Sequence, residues 1–251
     1  MRYNLGNIGI AYDMEKKKYV IVMAAGSGTR MGAPLPKQFL ELGGKAILQR
    51  TIEVFRDACP DITVVVVLSP DYIDYWKEYC LKRNFICPQI IVAGGITRFH
   101  SVRNALERIP DGALVGVHDG VRPLITRNRV AGLFKEAENS AALIPVVPCV
   151  DTLKVLHRVV NPDGTERLEA VPGEVADRSV LFGAQTPQIF QSEILKNAYS
   201  QAYDTAFTDD ASVVAQYGIS LSYTMGERLN IKITTKEDLI IARAVDMMSE
   251  D

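Results

Sequence analysis

Residues 19–32 read YVIVMAAGSGTRMG, a continuous apolar run that passes directly into a glycine-rich loop. A short apolar run without alternation is typical of a parallel β-strand that is covered on both faces. From Ala24 to Gly32 the loop holds two alanines and three glycines. Such small residues let the backbone approach a ligand closely and point successive N–H groups at phosphate oxygens, although a tight strand–helix connection would also use them.

Strand-like and helix-like segments alternate behind this loop. The expected strands are residues 19–24, 62–68, 90–92, 114–118 and 141–147. The expected helices are residues 46–58, 71–82, 102–109, 128–139, 191–202 and 209–217. Two short strands and a final helix with a capping box of Thr235 and Asp238 are expected after them. This alternation predicts an α/β protein with an open, mostly parallel, Rossmann-like sheet.

Ligands bind such sheets beyond the carboxyl ends of the strands, near the point where the strand order reverses. The loops that follow Ala24, Val92 and His118 are therefore expected to share one edge. Arg30 lies within the first of these loops and Lys37 follows it shortly, and both add fixed positive charge there. Together they favour a site for a phosphorylated ligand.

Residues 151–176 break the alternation. Thr152–Val160 and Glu166–Val171 are both strand-like, and the sequence NPDG at 161–164 between them is a strong turn signal. They predict a β-hairpin arm inserted into the α/β chain. Two roles are open for it, a surface flap or an arm that grips a second subunit. An isolated hairpin is marginal in water, so an arm of this length would gain from a partner.

The composition excludes several classes of protein. Lys and Arg number 28 against 30 Asp and Glu, so there is no overall basic character for nucleic acid or an anionic membrane. No apolar run approaches the roughly 20 residues of a membrane-spanning helix, and no secretion signal is recognisable. The 4 cysteines lack metal spacing and are expected to be packed thiols, and the 3 histidines are widely separated. We expect a cytoplasmic protein that binds neither nucleic acid nor a membrane.

The chain is expected to form one nucleotide-processing domain with a short extension. Residues 1–13 carry no clear periodicity, and Met14 opens a stretch that looks like a natural start. We expect 1–13 to be an extension, 14–251 to be a single domain, and 151–176 to be the hairpin arm within it, to which the family resemblance described next assigns dimerisation.

The segment AAGSGTRMG, followed by PLPKQFL, is similar to the opening signature of the cytidylyltransferases that act on 2-C-methyl-D-erythritol 4-phosphate. The resemblance continues in matching order to the C-terminus. The further matching segments are GGITRFHSV (94–102), VHDGVRP (117–123), DTLK (151–154), ADR (176–178), QTPQIF (185–190), TDDAS (208–212) and NIKITTKEDL (230–239). The resemblance implies the nucleotidyltransferase fold. It also implies direct in-line attack of an acceptor phosphate on the α-phosphorus of CTP, with release of pyrophosphate and no covalent enzyme intermediate.

By this resemblance four cations carry the catalysis: Arg30, Lys37, Arg178 and Lys232. The first two would contact the triphosphate and stabilise the transition state, in which charge develops on a crowded phosphorus centre. The nucleotide-binding residues that the resemblance implies are Ala24, Ala25, Gly26, Ser27, Gly28, Gly94, Gly95, Ser101 and Asp119. The segment 94–101 would contact the cytosine base, although by itself it also fits a glycine turn before a helix.

The acceptor phosphate needs cations of its own. By resemblance Arg178 and Lys232 position it, with Thr152 and Thr186 as hydroxyl donors. On sequence alone Lys232 fits an alternating strand with a solvated lysine. In the family the hairpin arm of one subunit reaches the site of the other. This predicts a homodimer in which Thr152 and Arg178 serve the neighbouring site.

The loop after His118 is expected to lie near the ribose and the metal. Asp119 either approaches Mg²⁺ or contacts the ribose, and a helix or turn cap is the less favoured alternative. Arg122 either holds this loop or touches phosphate. Mg²⁺, or another divalent cation, is expected to be carried chiefly by CTP, because Mg²⁺ prefers phosphates plus few carboxylates.

Two positions depart from the family pattern. Ile96 and Leu229 stand where relatives often carry polar side chains, so any base contact at position 96 would have to come from the backbone. A ribitol-5-phosphate cytidylyltransferase is the nearest alternative, and AAG at 24–26, Asp177-Arg178 and TDDA at 208–211 favour methylerythritol phosphate over it. A non-catalytic nucleotide sensor would predict loss of the cations. A dinucleotide oxidoreductase would need a G-x-G-x-x-G segment that the sequence lacks.

Overall fold

The computed structural model describes residues 16–26 and 35–248, so the expected extension 1–13 and the loop residues 27–34 lie outside it. Its strands are β1 (Lys18–Ala24), β2 (Glu41–Leu42), β3 (Lys45–Ala46), β4 (Thr63–Leu68), β5 (Gln89–Ala93), β6 (Leu114–Asp119), β7 (Ala142–Pro148), β8 (Leu156–Val160), β9 (Glu166–Ala170), β10 (Phe182–Ala184), β11 (Gln188–Gln191) and β12 (Ser222–Met225). Its α-helices are α1 (Ile47–Ala58), α2 (Ile73–Lys82), α3 (Arg98–Leu106), α4 (Arg127–Ala137), α5 (Ser192–Ala198), α6 (Asp210–Gln216) and α7 (Lys236–Met248).

Eight of the described strands form a central sheet in the order β10-β7-β11-β6-β1-β4-β5, with β12 beside β7. The strands β6, β1, β4 and β5 are parallel to one another. Beyond β6 the sheet is mixed: β11 runs antiparallel between β6 and β7, and β10 is antiparallel to β7. The expected open, mostly parallel α/β sheet is confirmed. The antiparallel strands β10 and β11 are short and were not predicted.

The strand β4 shows why the sheet is covered on both faces. Val64 and Val66 pack into one core layer, and Val65 and Val67 pack into the other. All four are fully buried. Because successive side chains of a strand point to opposite faces, a run without polar members requires helices on both sides. The helices α1, α2 and α4 cover the first face, and α3, α5 and α6 cover the second.

The predicted hairpin arm is present. The strands β8 and β9 pair antiparallel, with Val160 opposite Glu166 across the turn. Across this turn, Asn161 N–H donates a backbone hydrogen bond to Thr165 O at 2.7 Å. The arm forms a two-stranded sheet of its own, apart from the central one.

The prediction of a strand around Lys232 is wrong. Residues 226–235 form no strand; several of their backbone groups pair with side chains instead of with a continuous neighbouring strand. The side chains of Arg122 and Gln185 both donate to Asn230 O. The final helix begins as predicted, with Thr235 N–H donating to the Asp238 carboxylate at 2.8 Å and Asp238 N–H donating to the Thr235 hydroxyl at 3.3 Å.

Among the helices of the described residues, none is long and apolar enough to cross a membrane.

Candidate active site

A cavity of about 430 Å³ opens at the carboxyl ends of the parallel strands. Its described lining residues are Met23, Ala24, Ala25, Gly26, Lys37, Gln38, Gly95, Ile96, Thr97, Arg98, Ser101, Asp119, Val121, Lys232 and Thr234. Most of them come from the three loops that the alternation of strands and helices placed at one edge, so the prediction that these loops share an edge is confirmed. The segments 37–38 and 232–234 close the cavity from the sides.

The start of the glycine-rich loop is held by the buried side-chain amide of Gln38. Gln38 is 2% exposed, and its Nε2 donates to Ala24 O at 2.7 Å and to Gly26 O at 3.1 Å. These two hydrogen bonds tie the end of β1 and the start of the loop to the segment that carries Gln38. Of the residues predicted here, Ala24, Ala25 and Gly26 line the cavity, whereas Ser27, Gly28 and Arg30 lie outside the described residues. Sequence reasoning missed Gln38, although it stands next to Lys37 in the PKQ segment.

The second glycine segment is packed tightly against the first turn of α3. A Cβ on Gly94 would lie 2.7 Å from the Ala25 Cβ, and a Cβ on Gly95 would lie 2.5 Å from the His100 Cβ. Gly95 N–H donates to the Ser101 hydroxyl at 2.9 Å, and that hydroxyl donates to Thr97 O at 2.9 Å. Glycine is therefore required at both positions by close approach. Gly95 and Ser101 line the cavity, and Gly94 lies beneath it.

Asp119 is the one acidic residue among the described lining residues. It is 8% exposed, and its Oδ2 lies 3.1 Å from Lys232 Nζ and 3.1 Å from Arg122 Nε. Arg122 also donates from Nη1 to Asn230 O at 2.7 Å. One carboxylate thus joins the loop after β6 to the segment that carries Lys232. Arg122 supports this connection from behind.

The charge state of Asp119 follows from these contacts. Burial by itself would raise the pKa of this carboxyl group, but Lys232, Arg122 and the nearby Arg98 outweigh it. The result is a pKa far below the ordinary value for aspartate. Asp119 is accordingly an anion at neutral pH, and its contact with Lys232 Nζ at 3.1 Å keeps that ammonium group at the cavity wall.

His118 and Thr186 form a hydrogen-bond chain behind Asp119. Asp119 N–H donates to Thr186 Oγ1 at 3.1 Å, Thr186 Oγ1 lies 3.0 Å from His118 Nδ1, and His118 Nε2 lies 3.1 Å from Arg122 O. A carbonyl can only accept, so the histidine proton is assigned to Nε2 and Nδ1 accepts from the threonine. Thr186 therefore lies behind the cavity, with its hydroxyl engaged by two neighbours.

Sequence reasoning missed the buried pair of Arg98 and Asp210. Arg98 Nη1 lies 2.8 Å from Asp210 Oδ1, and the second nitrogen and oxygen also pair. Both residues stand inside quoted segments, GGITRFHSV and TDDAS. A cation one turn after a glycine pair was the available signal for Arg98. Asp210 gave none, because it looks like the first residue of a capped helix.

The remaining predicted residues lie away from this cavity within the single chain. Thr152 and Arg178 are exposed next to the arm, and Arg178 Nη1 donates to Val150 O at 3.3 Å. They are not among the described residues that line the cavity. A single copy of the chain does not bring these two residues to Asp119 and Lys232.

A cavity so placed, with small residues at its floor and cations at its rim, defines a nucleotide-binding α/β protein. Residues 19–247 match the model of one particular family, 2-C-methyl-D-erythritol 4-phosphate cytidylyltransferase. The chain belongs to this family of enzymes, and the resemblance recognised in its sequence is confirmed.

Relatives and solved structures agree with this assignment. The 2-C-methyl-D-erythritol 4-phosphate cytidylyltransferase of Phocaeicola vulgatus is 42% identical over 229 residues, which cover 91% of this chain and 99% of that protein. The enzyme of Azobacteroides pseudotrichonymphae is 43% identical, and the match covers 92% of this chain and 99% of that protein. The crystal structure of the Francisella tularensis enzyme has a TM-score of 0.72 at 30% identity, covering 91% of this chain and 99% of that one.

The contact between Gly95 and His100 yields a prediction. Gly95→Ala should weaken CTP binding at least tenfold, because the new Cβ displaces the first turn of α3 and the Ser101 hydroxyl. Overpacking of this kind costs about 1–3 kcal/mol. The matched control is Gly132→Ala in α4, where the nearest atom to a new Cβ is 3.7 Å away. That change should leave binding unaltered and stabilise the helix by about 0.5–1 kcal/mol. Calorimetric titration and urea unfolding measure both, and equal CTP affinity in the two variants would contradict the expectation.

The buried histidine yields a second prediction. Burial lowers the pKa of His118 to about 4 from an ordinary 6.5, so the unfolded chain binds this proton more readily than the folded protein. The free energy of unfolding should therefore be highest above pH 6.5 and fall as the pH drops towards 4. The contribution of His118 is about 2–3 kcal/mol.

His118→Gln should flatten this dependence, whatever it does to stability at neutral pH. The matched control is His157→Gln on the exposed arm, which should keep the wild-type slope. Urea unfolding between pH 7 and pH 4.5 gives the slopes. An unchanged slope in His118→Gln would show that other groups cause the acid sensitivity.

Proposed function

We propose that this chain transfers CMP from CTP to 2-C-methyl-D-erythritol 4-phosphate, giving 4-diphosphocytidyl-2-C-methyl-D-erythritol and pyrophosphate. The observation that carries the proposal is the match of residues 19–247 to the family of that name, together with relatives at 42% identity over nearly the full length of both chains. The family match favours this acceptor over ribitol 5-phosphate. Lysines beside an open cavity at the sheet edge are the groups that such a transfer needs.

The reaction requires little covalent chemistry from the protein itself, because one substrate attacks the other directly. An oxygen of the acceptor phosphate attacks the α-phosphorus of CTP, and the bond from that phosphorus to the pyrophosphate oxygen breaks. We propose that Lys37 and Lys232, together with Arg30, neutralise the charge that develops around this phosphorus. Lys232 is held for this task by its 3.1 Å contact with Asp119, which fixes the ammonium group at the cavity wall.

The base and the sugar are proposed to bind on the other side of the cavity. Gly95 and Ser101 would face the cytosine, with Gly94 keeping the two loops in contact. Ile96 is 90% exposed at the cavity mouth, so a polar contact there must come from its backbone. Thr186 is proposed to act on the site by holding Asp119, because its hydroxyl is engaged there.

A divalent cation such as Mg²⁺ is part of the proposal, and the residues present fit it. Asp119 uses Oδ2 for both of its ion pairs, and a single carboxylate suits a cation that arrives with the nucleotide phosphates. Within the described residues no three His, Cys, Asp or Glu side chains cluster in a way that could hold a metal by themselves. When bound, the cation would neutralise phosphate charge, and Asp119 would be its protein ligand.

A homodimer is proposed from the surface of the arm. Apolar side chains are exposed on and beside it: Val150, Leu153, Val155, Leu156, Val160, Leu168, Val175, Val180 and Phe182. So many exposed apolar groups on one segment mark a contact surface. Packed against a second copy, the arm would take Thr152 and Arg178 to the acceptor end of the partner's cavity. The cysteines Cys59, Cys80, Cys87 and Cys149 form no disulfide, which fits the proposed cytoplasmic location.

Pyrophosphate release tests the function directly. With CTP and Mg²⁺, wild type should turn over methylerythritol phosphate and leave ribitol 5-phosphate and glucose 1-phosphate unused. Lys37→Ala and Lys232→Ala should each lower kcat/KM about 10²–10³-fold. Lys135→Ala, on the exposed face of α4, is the matched control and should keep the wild-type kcat/KM. Turnover of ribitol 5-phosphate alone would overturn the acceptor assignment.

Mixed dimers test the role of the arm. Lys37→Ala and Arg178→Ala should each be nearly inactive alone. Unfolded together and refolded, they should recover about a quarter of wild-type activity, because half of the dimers are mixed and each of these has one complete site. The control mixture of Lys37→Ala with Lys232→Ala should recover nothing, since both residues belong to the same site. No recovery in the first mixture would place Arg178 in its own chain's site or outside the chemistry.

A further inference from the structure

Lys232 belongs to a segment that lies outside the strands, since residues 226–235 form none. The backbone groups of such a segment need partners from elsewhere, and those partners decide where the segment lies. Downstream of the lysine, Ile233 is fully buried and its N–H donates to Val121 O at 2.9 Å. Upstream of the lysine, side chains from other parts of the chain hold residues 227–230. The position of Lys232 at the cavity wall therefore depends on these upstream contacts as well.

One buried amide makes three hydrogen bonds to the upstream part. The Gln185 side chain belongs to a residue that is 6% exposed. Its Oε1 accepts from Glu227 N–H at 3.1 Å, and its Nε2 donates to Glu227 O at 2.8 Å and to Asn230 O at 3.4 Å. Both N–H donors of the amide are used in this way. Gln185 is not among the described residues that line the cavity, so any effect on the site passes through the segment that it binds.

This amide is itself anchored to the central sheet. Gln185 N–H donates to Pro145 O at 2.8 Å, and Gly226 N–H donates to the next carbonyl of β7, Val146 O, at 2.7 Å. A Cβ on Gly226 would overlap the Oε1 atom of Gln185, so a glycine is required there to leave room for the amide. The segment that leads to Lys232 thus starts from a fixed point on β7.

Asn230 is the point at which these contacts reach the site. Its carbonyl accepts from Arg122 Nη1 at 2.7 Å as well as from Gln185. Arg122 also lies 3.1 Å from Asp119 Oδ2, the same carboxylate oxygen that lies 3.1 Å from Lys232 Nζ. The main chain two residues before the lysine is therefore tied both to the sheet and to the carboxylate that holds the ammonium group.

We propose that Gln185 is a positioning residue for Lys232: its amide holds residues 226–230 so that the ammonium group stays beside Asp119 at the cavity wall. The inference rests on the proposed function, in which Lys232 neutralises charge during the transfer. A side chain that acts in this way affects the reaction only while the lysine is present. A general contribution to folding would be felt whichever residue stands at position 232.

A double-mutant cycle tests this dependence. Gln185→Met keeps the length of the side chain and removes the three hydrogen bonds. It should lower kcat/KM for methylerythritol phosphate about tenfold, because a misplacement of about 1 Å can cost up to about 100-fold in rate. In the Lys232→Ala background the same change should cost less than about twofold, whereas in the Lys37→Ala background it should cost the full factor of about ten. Equal losses in the two backgrounds would overturn the proposal.

Gln191→Met is the matched control. The Gln191 amide also binds two backbone carbonyls, donating to Ala137 O at 3.2 Å and to Ser140 O at 2.9 Å, but Gln191 is not among the described residues that line this cavity. The change should lower the free energy of unfolding and leave kcat/KM at the wild-type value. If Gln185→Met gave that result too, Gln185 would be a structural residue and the proposal would fail.

Two further arms complete the experiment. If Gln185→Met does not fold, Gly226→Ala still decides, because it keeps the amide, displaces it with the new Cβ and should reproduce the pattern of the cycle. Hydrogen exchange of the backbone amides of residues 226–233, followed by mass spectrometry, needs no substrate. It should be faster in Gln185→Met and unchanged in Gln191→Met, and wild-type exchange in both would overturn the proposal. An inactive wild type would mark failure of the proposed function, and the exchange rates would still decide whether Gln185 holds the segment.

Discussion

The site depends on one buried carboxylate. Asp119 stands at the end of β6, in the middle of the sheet, and three separate parts of the chain meet on it: the Arg122 loop, the Lys232 segment and, through its backbone, Thr186. Removing it would leave two cations facing each other without a counter-charge in a poorly solvated place. This anion therefore holds the loop after β6 and the segment that carries Lys232 together at one wall of the cavity.

Much of this arrangement could be predicted from sequence, because it follows from local patterns. The continuous apolar runs at β1 and β4 predict buried parallel strands, and that alone brings the loops after Ala24, Val92 and His118 to one edge. The hairpin arm follows from its turn residues. The strands β10 and β11 could not be predicted, since short segments such as QIFQ become strands by pairing with β6 and β7 rather than by their own periodicity.

The residues that hold the site were harder to find than those that line it. Gln38 and Asp210 are polar side chains whose partners are far away in sequence, a backbone carbonyl 14 residues off and an arginine 112 residues off. Nothing in their immediate neighbours distinguishes them from solvated residues. Lys232 was predicted on a strand, but the backbone around it is fixed by Arg122 and Gln185, which only the tertiary structure reveals.

The contact between Ala25 and Gly94 has a consequence for the shape of the cavity. The two loops touch where a side chain is missing, so neither can shift without the other, and Gly94 N–H is tied to Leu68 O at 2.7 Å as well. A larger residue at position 94 would push the end of β1 and the segment after β5 apart, so the missing side chain sets how wide the cavity is between them.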